Sequence, residues 1–103
     1  MSGVSGVSGV SLCSASRPAI QHGFRLQWEP AQGTHVLLYP EGMVKLNGSA
    51  GEILKRCDGH ASIAEITTEL ERVFSKAGLH AEVVAFLQMA VHNGWLTVPN
   101  EPV

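Results

Sequence analysis

At Asn47 the hydrophobic repeat of the chain changes period, and that change limits the folds open to it. Before it, apolar residues recur at every second position. Phe24, Leu26 and Trp28 alternate with Arg25, Gln27 and Glu29, the pattern of a half-buried strand. After it they recur at every third or fourth position, as Ala50, Ile53, Leu54 and Cys57 do, which is one face of a helix. Strands collected at the front and helices at the back define an α+β domain, because a parallel α/β sheet would interleave the two periods.

The punctuation between these runs sets the element count. Pro30 ends the first strand and Gln32-Gly33-Thr34 supplies a turn. Val36-Leu37-Leu38-Tyr39 is apolar on both faces, and Tyr39-Pro40-Glu41-Gly42 reads as a type I turn. Met43-Val44-Lys45-Leu46 follows as a third short strand, giving a three-stranded antiparallel sheet built from hairpins. Three helices come next. Asn47 or Ser49 caps the first and Asp58-Gly59 stops it. Ser62-Ile63-Ala64-Glu65 is a capping box for the second, whose stripe runs through Ile66, Leu70, Val73, Phe74 and Ala77 to a stop at Gly78. The third spans about Ala81 to Asn93 and ends at Gly94; Trp95-Leu96-Thr97-Val98 adds a short extended piece. A helical trio with hairpin strands makes the architecture winged-helix-like. Residues 2–10 read SGVSGVSGV, and such small side chains bury too little apolar area to offset their ordering entropy. Residues 1–17 are therefore expected to form a flexible Ser/Gly-rich tail, 18–98 the folded domain and 99–103 a second tail.

The third helix carries more apolar surface than one core requires. Met89, Phe86, Ala90, Val83, Leu87, Val91 and Val84 sweep an arc of roughly 220° at about 100° per residue, where a helix on one core uses a stripe of little more than about 100°. Either the helix is buried on both sides by its own domain or part of the arc lines a groove for a partner. The Met43–Leu46 strand bears on the same choice. An edge of a small sheet offers unpaired N–H and C=O groups to an incoming strand, unless Lys45 guards it.

Catalytic chemistry has little to stand on. The five histidines, His22, His35, His60, His80 and His92, form no i,i+4 pair and no HExxH. Asp58 is the only aspartate, and no serine sits in a nucleophile elbow. Neither a phosphate-binding glycine loop nor a CxxC pair is present, so no metal or cofactor site is expected. Cys57 follows its helix stripe into the core, and Cys13 has no neighbouring cation to lower its pKa. Seven basic residues against nine acidic ones give a net charge of -2, and no lysine or arginine lies in residues 77–103. A recognition helix without cations cannot grip phosphates or guanine edges, so nucleic-acid binding is disfavoured despite the architecture. No apolar run approaches the roughly 20 residues of a membrane span, and no secretory signal is readable, so the expected setting is the cytoplasm. A homodimer with the surplus arc buried between two copies stays open as an alternative.

The motifs in order resemble the pyrroloquinoline quinone biosynthesis protein D family. The resemblance is carried by Leu37-Leu38-Tyr39-Pro40-Glu41, Leu46-Asn47-Gly48-Ser49-Ala50 and Ile53-Leu54-Lys55-Arg56-Cys57-Asp58-Gly59, with Val83-Val84-Ala85-Phe86-Leu87 and Gly94-Trp95-Leu96 beyond them. It implies a peptide chaperone that is not an enzyme and holds no cofactor. Such a protein binds the precursor peptide of the quinone and presents it to a radical S-adenosylmethionine enzyme, which carries the iron–sulfur cluster and cross-links a glutamate to a tyrosine. In related recognition domains the leader peptide lies as an added strand between the third strand and the third helix. Mapped here, the resemblance implies a peptide site at Val44, Lys45, Leu46 and Asn47 facing Val83, Phe86, Leu87 and Ala90. Val44→Pro and Phe86→Asp are the substitutions that the sequence offers for testing it.

Overall fold

The computed structural model describes residues 12–98. Its elements run β1 (Ala19–Ile20), β2 (Arg25–Glu29), β3 (Thr34–Tyr39), β4 (Gly42–Lys45), α1 (Gly48–Lys55), α2 (Ile63–Val73), α3 (His80–His92) and β5 (Leu96–Thr97). The α+β class expected from the change of period is the one observed. Strands β2, β3 and β4 form an antiparallel sheet in that order. Pro40 and Glu41 make a two-residue hairpin loop between the paired Tyr39 and Gly42.

The register sorts the side chains. Leu26 pairs with Leu37, and Leu37 with Val44, so these three share one face. Leu37 is fully buried beneath the helices, which makes that face the inner one. Helix α1 lies close on it. A Cβ added to Gly51 would stand 2.7 Å from Nδ1 of His35, so only glycine lets the helix approach β3 this closely. Trp28, expected on the buried face of a half-buried strand, is instead 52% exposed. It sits near the end of an edge strand, where it packs only edge-on against His35, with ring centroids 5.0 Å apart.

Helix α1 starts where Asn47 Oδ1 accepts from the Ala50 N–H at 2.7 Å, so Asn47 and not Ser49 is its cap. Arg56, at its end, bridges to Glu52 at 2.7 Å and reaches Glu69 of α2 at 3.5 Å, tying the two helices together. The Ser62–Glu65 capping box opens α2 as expected. The helix closes at Val73, short of Gly78, because Ser75 turns left-handed with φ 53°. Ile63, Ile66, Leu70, Leu87 and Leu96 meet Leu37 and Leu54 in one core.

Two connections escape the hydrophobic pattern. Strand β1 pairs antiparallel with β5, matching Ala19 to Thr97 and Ile20 to Leu96, and so joins the first and last strands of the fold. Residues 12–17, assigned by composition to the tail, are hydrogen-bonded to α2. The Ser16 carbonyl accepts from Ile63 N–H at 2.9 Å and the Ser14 carbonyl from Ala64 N–H at 3.0 Å. A helix start leaves several N–H groups without partners, and here backbone carbonyls take two of them. Ser16 is buried in consequence. The rest of the expected N-terminal tail, residues 1–11, and the C-terminal tail, 99–103, lie outside the described residues.

Candidate functional site: a groove between a strand edge and a helix

Strand β4 is an edge of its sheet. Its parity follows from the ladder. The Leu46 N–H donates to the His35 carbonyl at 3.1 Å, and Leu37 is matched to Val44. In an antiparallel pair such residues alternate with ones whose backbone groups point away. Met43 and Lys45 are the outward-pointing residues, and no other described strand pairs with that edge. Their N–H and C=O groups form a short unoccupied template.

Beside this edge lies a groove of about 770 Å³. Val44, Lys45, Leu46 and Asn47 line one side, and Val83, Phe86 and Met89 of α3 the other. Ala50 and Ile53 of α1 and Leu70 of α2 form part of its lining between them. Phe74, Leu79 and Trp95 extend the apolar wall. Phe74 and Met89 are 39% and 40% exposed, a large apolar area for a domain of this size to leave in water.

Six of the eight residues implied by the family resemblance therefore surround one cavity: Val44, Lys45, Leu46, Asn47, Val83 and Phe86. Leu87 and Ala90 do not line it. Both are wholly buried in the core. The reason is helical geometry: Leu87 and Ala90 lie on the core-facing side of α3, whereas Phe86 and Met89 lie on one flank of the arc. Val83, on the same side as Leu87 and Ala90, is buried in the core and also borders the groove. Trp95 was beyond reach of helix periodicity, since it follows α3. It is held by β5 and by its own carbonyl, which accepts from Gln21 N–H at 2.9 Å.

The start of α3 is fixed from outside the helix. Leu79 at its N-cap has no side-chain oxygen to offer, and Glu71 Oε2 of α2 accepts the Leu79 N–H at 3.0 Å. A carboxylate there also suits the positive end of the helix dipole. The groove rim carries Lys45, Lys76 and Glu82, and none of the three belongs to an ion pair among the described residues. Away from the groove, burial pushes the Cys57 thiol up to about 12, with the Asp58 charge adding to the shift, so this cysteine is an inert core residue. No group of three or more His, Cys, Asp or Glu side chains that could hold a metal occurs among the described residues. No helix among them is long and apolar enough to cross a membrane.

An open strand edge facing an apolar helix flank, on a small sheet-then-helices domain, defines a class of protein that offers an extended cleft bordered by main-chain groups and apolar side chains. Comparison with known proteins is specific. The family model for coenzyme PQQ synthesis protein D (PqqD) matches residues 34–96. The PqqA binding protein of Azotobacter vinelandii is 51% identical over 80 residues, 77% of this chain and 87% of the relative. That of Pseudomonas aeruginosa is 51% identical over 82 residues, covering 79% and 89%. The solution NMR structure of the PqqD truncation of Methylobacterium extorquens PqqCD is a functional, stand-alone recognition element for ribosomally synthesized and post-translationally modified peptides. It superposes with a TM-score of 0.71 at 25% identity, covering 84% of this chain and 95% of that one. The chain belongs to the PqqD family.

Proposed function

We propose that this protein binds a PqqA-like precursor peptide as an extra strand on β4 and holds it against α3. The carrying observation is the juxtaposition of the outward-pointing Met43 and Lys45 backbone with the half-buried Phe86 and the exposed Met89 across one groove. Main-chain pairing supplies affinity without regard to sequence, and the apolar groove adds selection. The relatives named for PqqA binding and the peptide recognition element of the Methylobacterium structure support the same reading. A peptide held extended on a domain without catalytic groups in its cleft is presented, not processed. The chemistry belongs to a partner, a radical S-adenosylmethionine enzyme of the PqqE type that forms the cross-link. The protein is a chaperone in this scheme and not an enzyme.

The test is a residue-resolved NMR titration of the full chain with synthetic PqqA. The Met43 and Lys45 amides and the Phe86 and Met89 side chains are expected to shift together and saturate, with the two amides gaining protection from exchange. Shifts confined to another face overturn the reading. Concentration-dependent shifts of the same amides without peptide would instead mark pairing of β4 between two copies.

A further inference from the structure

The parity of β4 goes further than the place of binding. An added strand, whichever way it runs, alternates its side chains in step with those of β4. Val44 shares the inner face with Leu37, so guest residues beside Val44 and Leu46 turn into the groove toward Phe86 and Met89. The guest residue across from Lys45 turns the other way, onto the outer face of the sheet. There Lys45 has Val36 as its cross-strand neighbour, and beyond it Gln27. Neither is a carboxylate, and Lys45 is in no ion pair among the described residues. Lys45 therefore stands exposed beside the vacant strand position, without a carboxylate partner among the described residues.

We infer that the groove selects an apolar–acidic–apolar triplet, whose carboxylate lies opposite Lys45 while the two flanking side chains enter the groove. This rests on the strand-addition reading and names the guest that it favours. Charge also separates this guest from a second copy of the chain. Antiparallel pairing of two β4 edges about Lys45 sets ammonium against ammonium, which is unfavourable across a sheet, whereas an acidic guest residue there is favourable.

The experiment uses the full chain and synthetic PqqA in which each Asp or Glu is changed singly to Asn or Gln. Affinity is measured by fluorescence anisotropy at low salt against the unmodified protein and Lys45→Gln. One carboxylate is expected whose removal weakens binding to the unmodified protein by about twofold to fivefold, the scale of a cross-strand charge pair, and leaves binding to Lys45→Gln unchanged. Lys45→Glu is expected to recover affinity for a peptide with lysine at that same position. Changing either apolar neighbour of that carboxylate to Ser is expected to weaken both proteins alike. If the Met43 and Lys45 amides respond to peptide and no carboxylate couples to Lys45, the triplet is wrong while strand addition stands. If those amides do not respond, both fall.

Discussion

Replacing Lys45 by proline tests the main-chain component of the site directly. Proline removes one N–H and fixes φ near an extended value. At Lys45 that N–H points away from β3, so the β3–β4 ladder keeps its bonds, and edge strands tolerate proline in this orientation. The residue before it, Val44, is already extended, as a position preceding proline prefers to be. The domain should therefore fold with a melting temperature close to that of Lys45→Gln. Binding should change much more. The guest carbonyl that would accept from Lys45 loses its donor and is left unsatisfied against the sheet, at about 1–3 kcal/mol. That corresponds to roughly 5- to 150-fold in Kd. Lys45→Gln is the reference, because it removes the charge and keeps the N–H. The assay is anisotropy with labelled PqqA, beside far-UV circular dichroism and a thermal melt. Val44, the position that sequence offers for such a proline, has the wrong parity. Its backbone pairs with Leu37, so Val44→Pro breaks the ladder and loses binding merely by disrupting the sheet. A Lys45→Pro protein that melts like Lys45→Gln and binds within about twofold of it would refute strand addition at β4.

Five further substitutions separate site from scaffold. Phe86→Asp should weaken peptide binding by about tenfold or more with an unchanged circular dichroism spectrum, whereas Leu87→Ala, wholly buried one residue on, should lose about 2–5 kcal/mol in a urea melt and leave the affinity of folded protein intact. Gly51→Ala gains about 1 kcal/mol of helix propensity. The new methyl group also stands 3.1 Å from Cβ of His35, which cannot rotate away, so overpacking should win and the thermal midpoint should fall. Hydrogen bonds from the Ala61 and His60 N–H groups hold the Asp58 carboxyl below its ordinary 3.8. A depressed native pKa stabilises above the unfolded value and is lost as pH falls through the folded one, so Asp58→Ala should melt lower at pH 7 and converge on the unmodified protein in strong acid. Glu71→Ala removes the external cap of α3, worth about 0.5–2 kcal/mol. It should speed hydrogen exchange around Leu79 and weaken peptide binding by a few-fold, because that first turn carries Glu82 and Val83 on the groove wall.

What the sequence made legible follows how each feature is encoded. The period change at Asn47, the capping box at Ser62 and the two-residue loop at Pro40 are local, and they predict the β2–β3–β4 sheet and the helix starts closely. Features written in backbone hydrogen bonds leave no residue signature. Strand β1 is two residues long and its partner Leu96–Thr97 lies at the other end of the domain. The 12–17 segment binds α2 through the carbonyls of Ser14 and Ser16, which any residue would supply, so its small side chains read as an unstructured tail.

The third helix shows where periodicity stops being enough. A surplus arc says that two surfaces are served and is silent on which flank serves which. Leu87 and Phe86 are equally apolar neighbours, and only the position of β4 separates them: the core takes Leu87 and Ala90, Val83 serves core and groove together, and the flank nearer the sheet edge is left to the groove. Val84 and Val91 on the opposite flank and Phe86 on this one are all half-buried against the core cluster, but only Phe86 and the exposed Met89 line the groove, so the surplus is asymmetric. That asymmetry is what makes a wide helix a candidate site. The open apolar strip borders the sheet edge at which Met43 and Lys45 offer their backbone, and an extended guest can use both at once. Had the surplus faced the other flank, the same composition would have called for a helical partner or a second copy, with the strand edge left to defend itself through Lys45 alone.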